Sequence, residues 1–68
     1  MNQFIRIHCI DETKTDKPTI ALWFNLAHII AIEPIASRQY STQILTTNDK
    51  ILKVIENEVE IMAKINGE

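Results

Sequence analysis

The chain has 68 residues, 46% of them hydrophobic and 24% charged, with one glycine, two prolines and one cysteine. A length of this order gives one domain, residues 1–68, which buries only about 60% of the surface its unfolded chain exposes, so stability on the order of 5 kcal/mol is expected. Seven Lys and Arg against nine Asp and Glu weigh against nucleic acid, whose binding draws on clustered cations, and a lone cysteine excludes an internal disulfide.

Phe4 to Ile10 reads as the first strand, with Ile5, Ile7 and Cys9 on one side and Arg6 and His8 on the other. Asp11 to Pro18 is polar throughout and closes on proline, which predicts an exposed, mobile hairpin loop. Thr19 to Phe24 is the second strand, where Ile20, Leu22 and Phe24 oppose Ala21 and Trp23. Asn25 to His28 suits a short turn or a single helical turn. Ile29 to Ile35 is a third strand, apolar on both sides, and Pro34 confines it to an edge, a strand end or a bulge.

Ala36 to Tyr40 is turn-like. Thr42 to Thr47 and Lys50 to Ile55 form the last hairpin, joined by a two-residue Asn48-Asp49 turn. Asn57 has the profile of a helix N-cap, with Glu60 three residues on to complete a capping box. Val59, Ile61, Met62, Ala63 and Ile65 spread over half the circumference of the helix that follows, and Asn66-Gly67 supplies its stop. Two turns of helix do not persist alone in water, so this one must dock on the sheet.

The expected fold is therefore α+β, mainly β: a small curved antiparallel sheet of about five strands, partly barrel-like, with a C-terminal helix from Glu58 to Ile65. Alternation assigns Ile5, Ile7, Ile20, Leu22, Ile30, Ile32, Ile44, Leu52, Val54, Val59 and Met62 to the core.

No catalytic or metal site emerges. His8 and Cys9 are neighbours on a strand and point to opposite faces, so they cannot share one ion, and Cys9 reads as buried and structural. His28 reads as a polar residue at a strand entrance, because two histidines and a cysteine without close spacing make a poor zinc set. Glu56, Glu58 and Glu60 read as capping and solvation near a helix N-terminus, where the dipole favours acids. No cofactor is expected, and the chain reads as non-enzymatic.

Trp23 and Tyr40 carry the strongest functional signal, since both residue types anchor interfaces. Trp23 alternates with Leu22 and Phe24, so on a sheet with one core face it lies outside. The alternative places it under the helix or inside a curled sheet. Trp23, Ile29, Ala31 and Tyr40 form the candidate interface. The expected partner is a second copy of the chain, in a dimer or larger assembly, or another protein. The runner-up is a small nucleic-acid-binding regulator using Arg6, Arg38, Lys50 and Lys53 beside the two rings. Met1 to Arg6 lack the apolar run of a signal peptide, and no stretch nears the roughly 20 apolar residues of a membrane span. The expected setting is cytoplasmic.

From Leu22 onward the chain resembles the small FlbD-like proteins of bacterial flagellar gene clusters. The resemblance is carried by Asn25, Ile29, Ile32 and Glu33, then by Leu45-Thr46-Thr47-Asn48, Ile51 to Glu56 and the Val59 to Ile65 helix. It covers about two-thirds of the chain and implies a fold of this kind in a motility-related setting. Ile29 to Glu33 followed by a hairpin is similar, more weakly, to LytTR-type DNA-binding domains.

Overall fold

A computed structural model describes residues 3–67. Five antiparallel strands form one sheet: β1 (Phe4–Ile10), β2 (Thr19–Asn25), β3 (Ile29–Pro34), β4 (Thr42–Thr46) and β5 (Ile51–Val54), followed by α1 (Glu58–Ile65). The strand order is β2-β1-β5-β4-β3. β2 and β3 are thus the two edges, yet only the 3-10 turn Leu26–His28 separates them in sequence. So short a connection requires the sheet to curl until its edges approach. The sheet stays open, and α1 packs against β1 and β3.

One face of this curl makes the core. Ile5, Ile7 and Cys9 alternate with exposed neighbours along β1, as the sequence predicts. Across the ladders Ile5 stands opposite Phe24, Ile7 opposite Leu22, and Cys9 opposite both Ile20 and Val54. Ile44 lies between Leu52 and Ile32 in the same layer. Ile5, Ile7, Cys9, Ile44, Val54 and Ile61 are fully enclosed, and Leu22, Phe24, Leu26, Ile29, Ile32, Leu52 and Ile65 pack around them.

Four residues assigned to the core by alternation lie outside it. Ile30 is 62% exposed because a bulge falls between Ile29 and Ala31. The extra residue turns Ile29 and Ile32 inward and leaves Ile30 and Ala31 outward, which no strict two-residue period anticipates. Ile20 keeps the inward register but sits on an edge strand near the ribbon's end, and it is exposed. On α1 the sheet takes only the line Ile61–Ile65, one turn apart, so Val59 and Met62 face solvent. The apolar arc of the helix is wider than the surface available to cover it.

The helix start follows the sequence closely. Asn57 Oδ1 accepts from the Glu60 N–H at 2.9 Å, and the Asn57 N–H donates back to Glu60 Oε1. At the other end Asn66 remains right-handed and Gly67 takes the positive φ. The β4–β5 turn is longer than the two-residue form expected. Thr47, Asn48 and Asp49 make the loop, Asp49 adopts φ 64, and the Thr46 N–H donates to the Lys50 carbonyl at 3.0 Å. Without a glycine the chain uses a three-residue loop with one left-handed position, which aspartate tolerates. Pro34 ends β3 on an edge, where its missing donor is harmless.

Candidate interaction surface

The outer face of the β1–β2 ribbon concentrates exposed chemistry. Its register sets Arg6 opposite Trp23, His8 opposite Ala21 and Phe4 opposite Asn25. Trp23 is 68% exposed and Phe4 is exposed beside it in the pattern. Neither β1 nor β2 contains an Asp or Glu, and Phe4, Arg6 and Trp23 give this face an apolar, aromatic and cationic end, while His8 farther along meets the Glu56 carboxylate.

The four candidate residues divide. Trp23 and Ala31 both face outward, but on the two edge strands, which do not pair with one another. Ile29 turns inward and packs on the core. Tyr40 is half-buried in the β3–β4 connection, its hydroxyl accepting from the Gln43 amide at 3.2 Å and Lys53 Nζ standing 5.6 Å above its ring.

The cations named for a nucleic-acid surface are likewise spread out. Lys53 is ion-paired with Glu12, which fastens the Asp11–Pro18 loop to β5. Their bond raises the affinity of Lys53 for its proton and holds the Glu12 carboxyl below its ordinary range. Asp11 is held low as well, first by bonds from Thr13. Inside that loop the Asp11 N–H donates to the Pro18 carbonyl at 2.8 Å and Lys17 takes a positive φ of 47. Arg38 lies in the β3–β4 connection and Lys50 at the β4–β5 turn.

One contact has no counterpart in the sequence reading. Glu56, expected in solvent, is 7% exposed. Both of its carboxylate oxygens are bound by one residue: Oε1 accepts from the His8 N–H at 2.9 Å and Oε2 meets His8 Nδ1 at 2.8 Å. Lys64 Nζ lies 4.0 Å from Oε2, and the buried Thr42 hydroxyl donates to the Glu56 carbonyl at 2.7 Å. Burial alone would raise this carboxyl, but the two His8 bonds together with a bond from the Glu56 backbone and the His8 charge hold the group below its ordinary value. The arrangement stitches β1 to the β5–α1 connection where the ladder is thinnest, next to the single Cys9–Val54 pair. The His8 side chain is 46% exposed, and among the described residues no nucleophile is bonded to its ring.

Cys9 is buried, and burial followed by the charge of Glu56 pushes its thiol up to about 11. A thiol so placed stays protonated at neutral pH and is a poor nucleophile. His28 Nδ1 meets Thr47 Oγ1 at 3.1 Å, beside a shallow cleft formed with Phe24, Thr46 and Asn48. Among the described residues no three His, Cys, Asp or Glu side chains converge as metal ligands. Among the same residues no helix is long and apolar enough to cross a membrane.

Two other exposed apolar areas were not legible in the sequence. Ile30, Leu45 and Ile51 line a depression on the outer side of β3–β5. Val59 and Met62, with Ala63, make a strip along α1. Comparison of the chain with protein-family models, with curated proteins and with solved structures gives no significant match.

Proposed function

We propose that this chain is a non-enzymatic interaction module that assembles with copies of itself in the cytoplasm. The observation that carries the proposal is Trp23, 68% exposed on the outer side of a strand whose inner side already faces the core. Leaving a tryptophan in water serves no purpose in the monomer's own packing, whereas tryptophan is a favoured anchor of interfaces. Unpaired edges on β2 and β3 add backbone donors and acceptors that a second chain can use. The resemblance to FlbD-like proteins supports a motility-related setting for such an assembly. Light scattering over a concentration series tests it. Mass should rise with concentration and fall back to the monomer in Trp23→Glu, and a monomer throughout would overturn the proposal.

A nucleic-acid-binding regulator is the second reading, favoured by Arg6 standing opposite Trp23 on two strands that contain no acid. Stacking on the ring with a phosphate on the guanidinium is the chemistry such a pair supports. The net charge of −2 opposes it. Titration into a labelled single-stranded oligonucleotide at low and moderate salt separates the two, because only the regulator binds, and binds less as salt rises.

A further inference from the structure

Two exposed apolar surfaces of this molecule carry opposite charge. On α1, Val59 is 73% exposed and Met62 46%, and these side chains run between Glu58 and Glu60. The only cation of the helix, Lys64, lies on the flank toward Glu56. The strip is therefore apolar with an acidic rim. On the β1–β2 ribbon, Phe4 and Trp23 accompany Arg6 with no acid in either strand, while His8, farther along β1, is already bonded to the Glu56 carboxylate and adds no free charge. That surface is apolar with the Arg6 guanidinium at its rim.

The fold prevents the two from meeting within one molecule. Ile61 of α1 belongs to the core with Ile5 and Ile7, so the helix lies on the inner side of the sheet. Val59, two residues before Ile61, is turned away from the sheet. Trp23 and Arg6 project from the opposite, outer side. Only a second copy brings the strip and the ribbon together.

Resting on the self-association proposed above, we infer that copies join head to tail, the α1 strip of one seated on the outer face of the β1–β2 ribbon of the next. Charge selects this pairing. Ribbon against ribbon sets Arg6 near its own image, and strip against strip does the same with Glu58 and Glu60, whereas strip on ribbon sets Arg6 against those two carboxylates. The contact is heterologous, so repetition produces a ring or an open filament rather than a closed two-fold dimer.

Charge reversal on both surfaces is the test, read by sedimentation over a concentration series. Glu58 is suited to it because Asn57 and Glu60 carry the cap and Glu58 does not. Arg6→Glu alone and Glu58→Arg alone should each weaken assembly about tenfold. The double variant Arg6→Glu/Glu58→Arg should recover to within about threefold of the original chain, and so should an equimolar mixture of the two single variants. Circular dichroism confirms that each variant keeps its β signal, and Val59→Asp gives an independent reversal-free readout that should also lower the mass.

A double variant as weak as Arg6→Glu alone would overturn the head-to-tail contact. So would assembly indifferent to Glu58→Arg and Val59→Asp but abolished by Trp23→Glu, and that outcome would leave self-association through the ribbon standing. A wild-type chain that is monomeric at every concentration would overturn both.

Discussion

The two sides of the β1–β2 ribbon share a backbone and differ in everything else. On the inner side Ile5, Ile7 and Cys9 are sealed against Leu22, Phe24 and Val54. On the outer side, one residue along, Phe4, Arg6 and Trp23 stand in solvent. The first side holds the monomer together, and the second adds little to its folding and is left for contact. Stability and association should therefore be separable by mutation.

The largest effect is expected on the inner side. Ile7→Ala should remove about 3–4 kcal/mol, most of the stability of so small a domain, by deleting buried methylenes and leaving a cavity. Urea unfolding measures it. Val59→Ala, on the exposed strip, should change the same unfolding free energy by no more than about 0.5 kcal/mol. Equal losses would erase the distinction.

The stitch at Glu56 should come next. Glu56→Gln exchanges a charge-assisted pair of bonds for neutral ones and should cost about 2 kcal/mol. It should also change the response to acid. The folded state holds this carboxyl below its ordinary value of 4.5, so between the two values the unfolded chain binds more protons. The Glu56 contribution is present above about pH 5 and lost as pH falls through the folded value. Melting temperature should decline over that interval, and Glu56→Gln should make the decline shallower without abolishing it, because Asp11 and Glu12 are lowered too. An unchanged acid profile in the variant would remove Glu56 from the account.

A smaller loss belongs to the helix start. Asn57→Ala deletes the acceptor for the Glu60 N–H and should cost about 1 kcal/mol in the same urea experiment.

The sequence reveals most where one local rule acts alone. β1 shows clean alternation and is recovered at both ends, and Asn57 with Glu60 announces the helix because a capping box is a short-range device. β3 defeats the same logic, since a strand apolar on both sides accommodates the bulge at Ile30 without any mark in its pattern. Glu56 and His8 are 48 positions apart, and only the β1–β5 pairing that follows from the whole topology brings them together. Trp23 is visible as outward from alternation, but its companion Arg6 belongs to another strand and appears only with the register. Val59 and Met62 mislead for a related reason, because hydrophobic periodicity marks the apolar arc of a helix without saying how much of it a small sheet can cover.

The smallest expected effect on folding coincides with the largest on association. Trp23→Glu should leave the unfolding free energy of the dilute monomer within about 0.5 kcal/mol of the original, since the side chain is mostly in water already. Sedimentation of the two proteins side by side across a wide concentration range tests the central claim most directly. The original chain should grow in mass with concentration while Trp23→Glu, equally folded, remains a monomer. Identical masses for the two proteins at every concentration would contradict it.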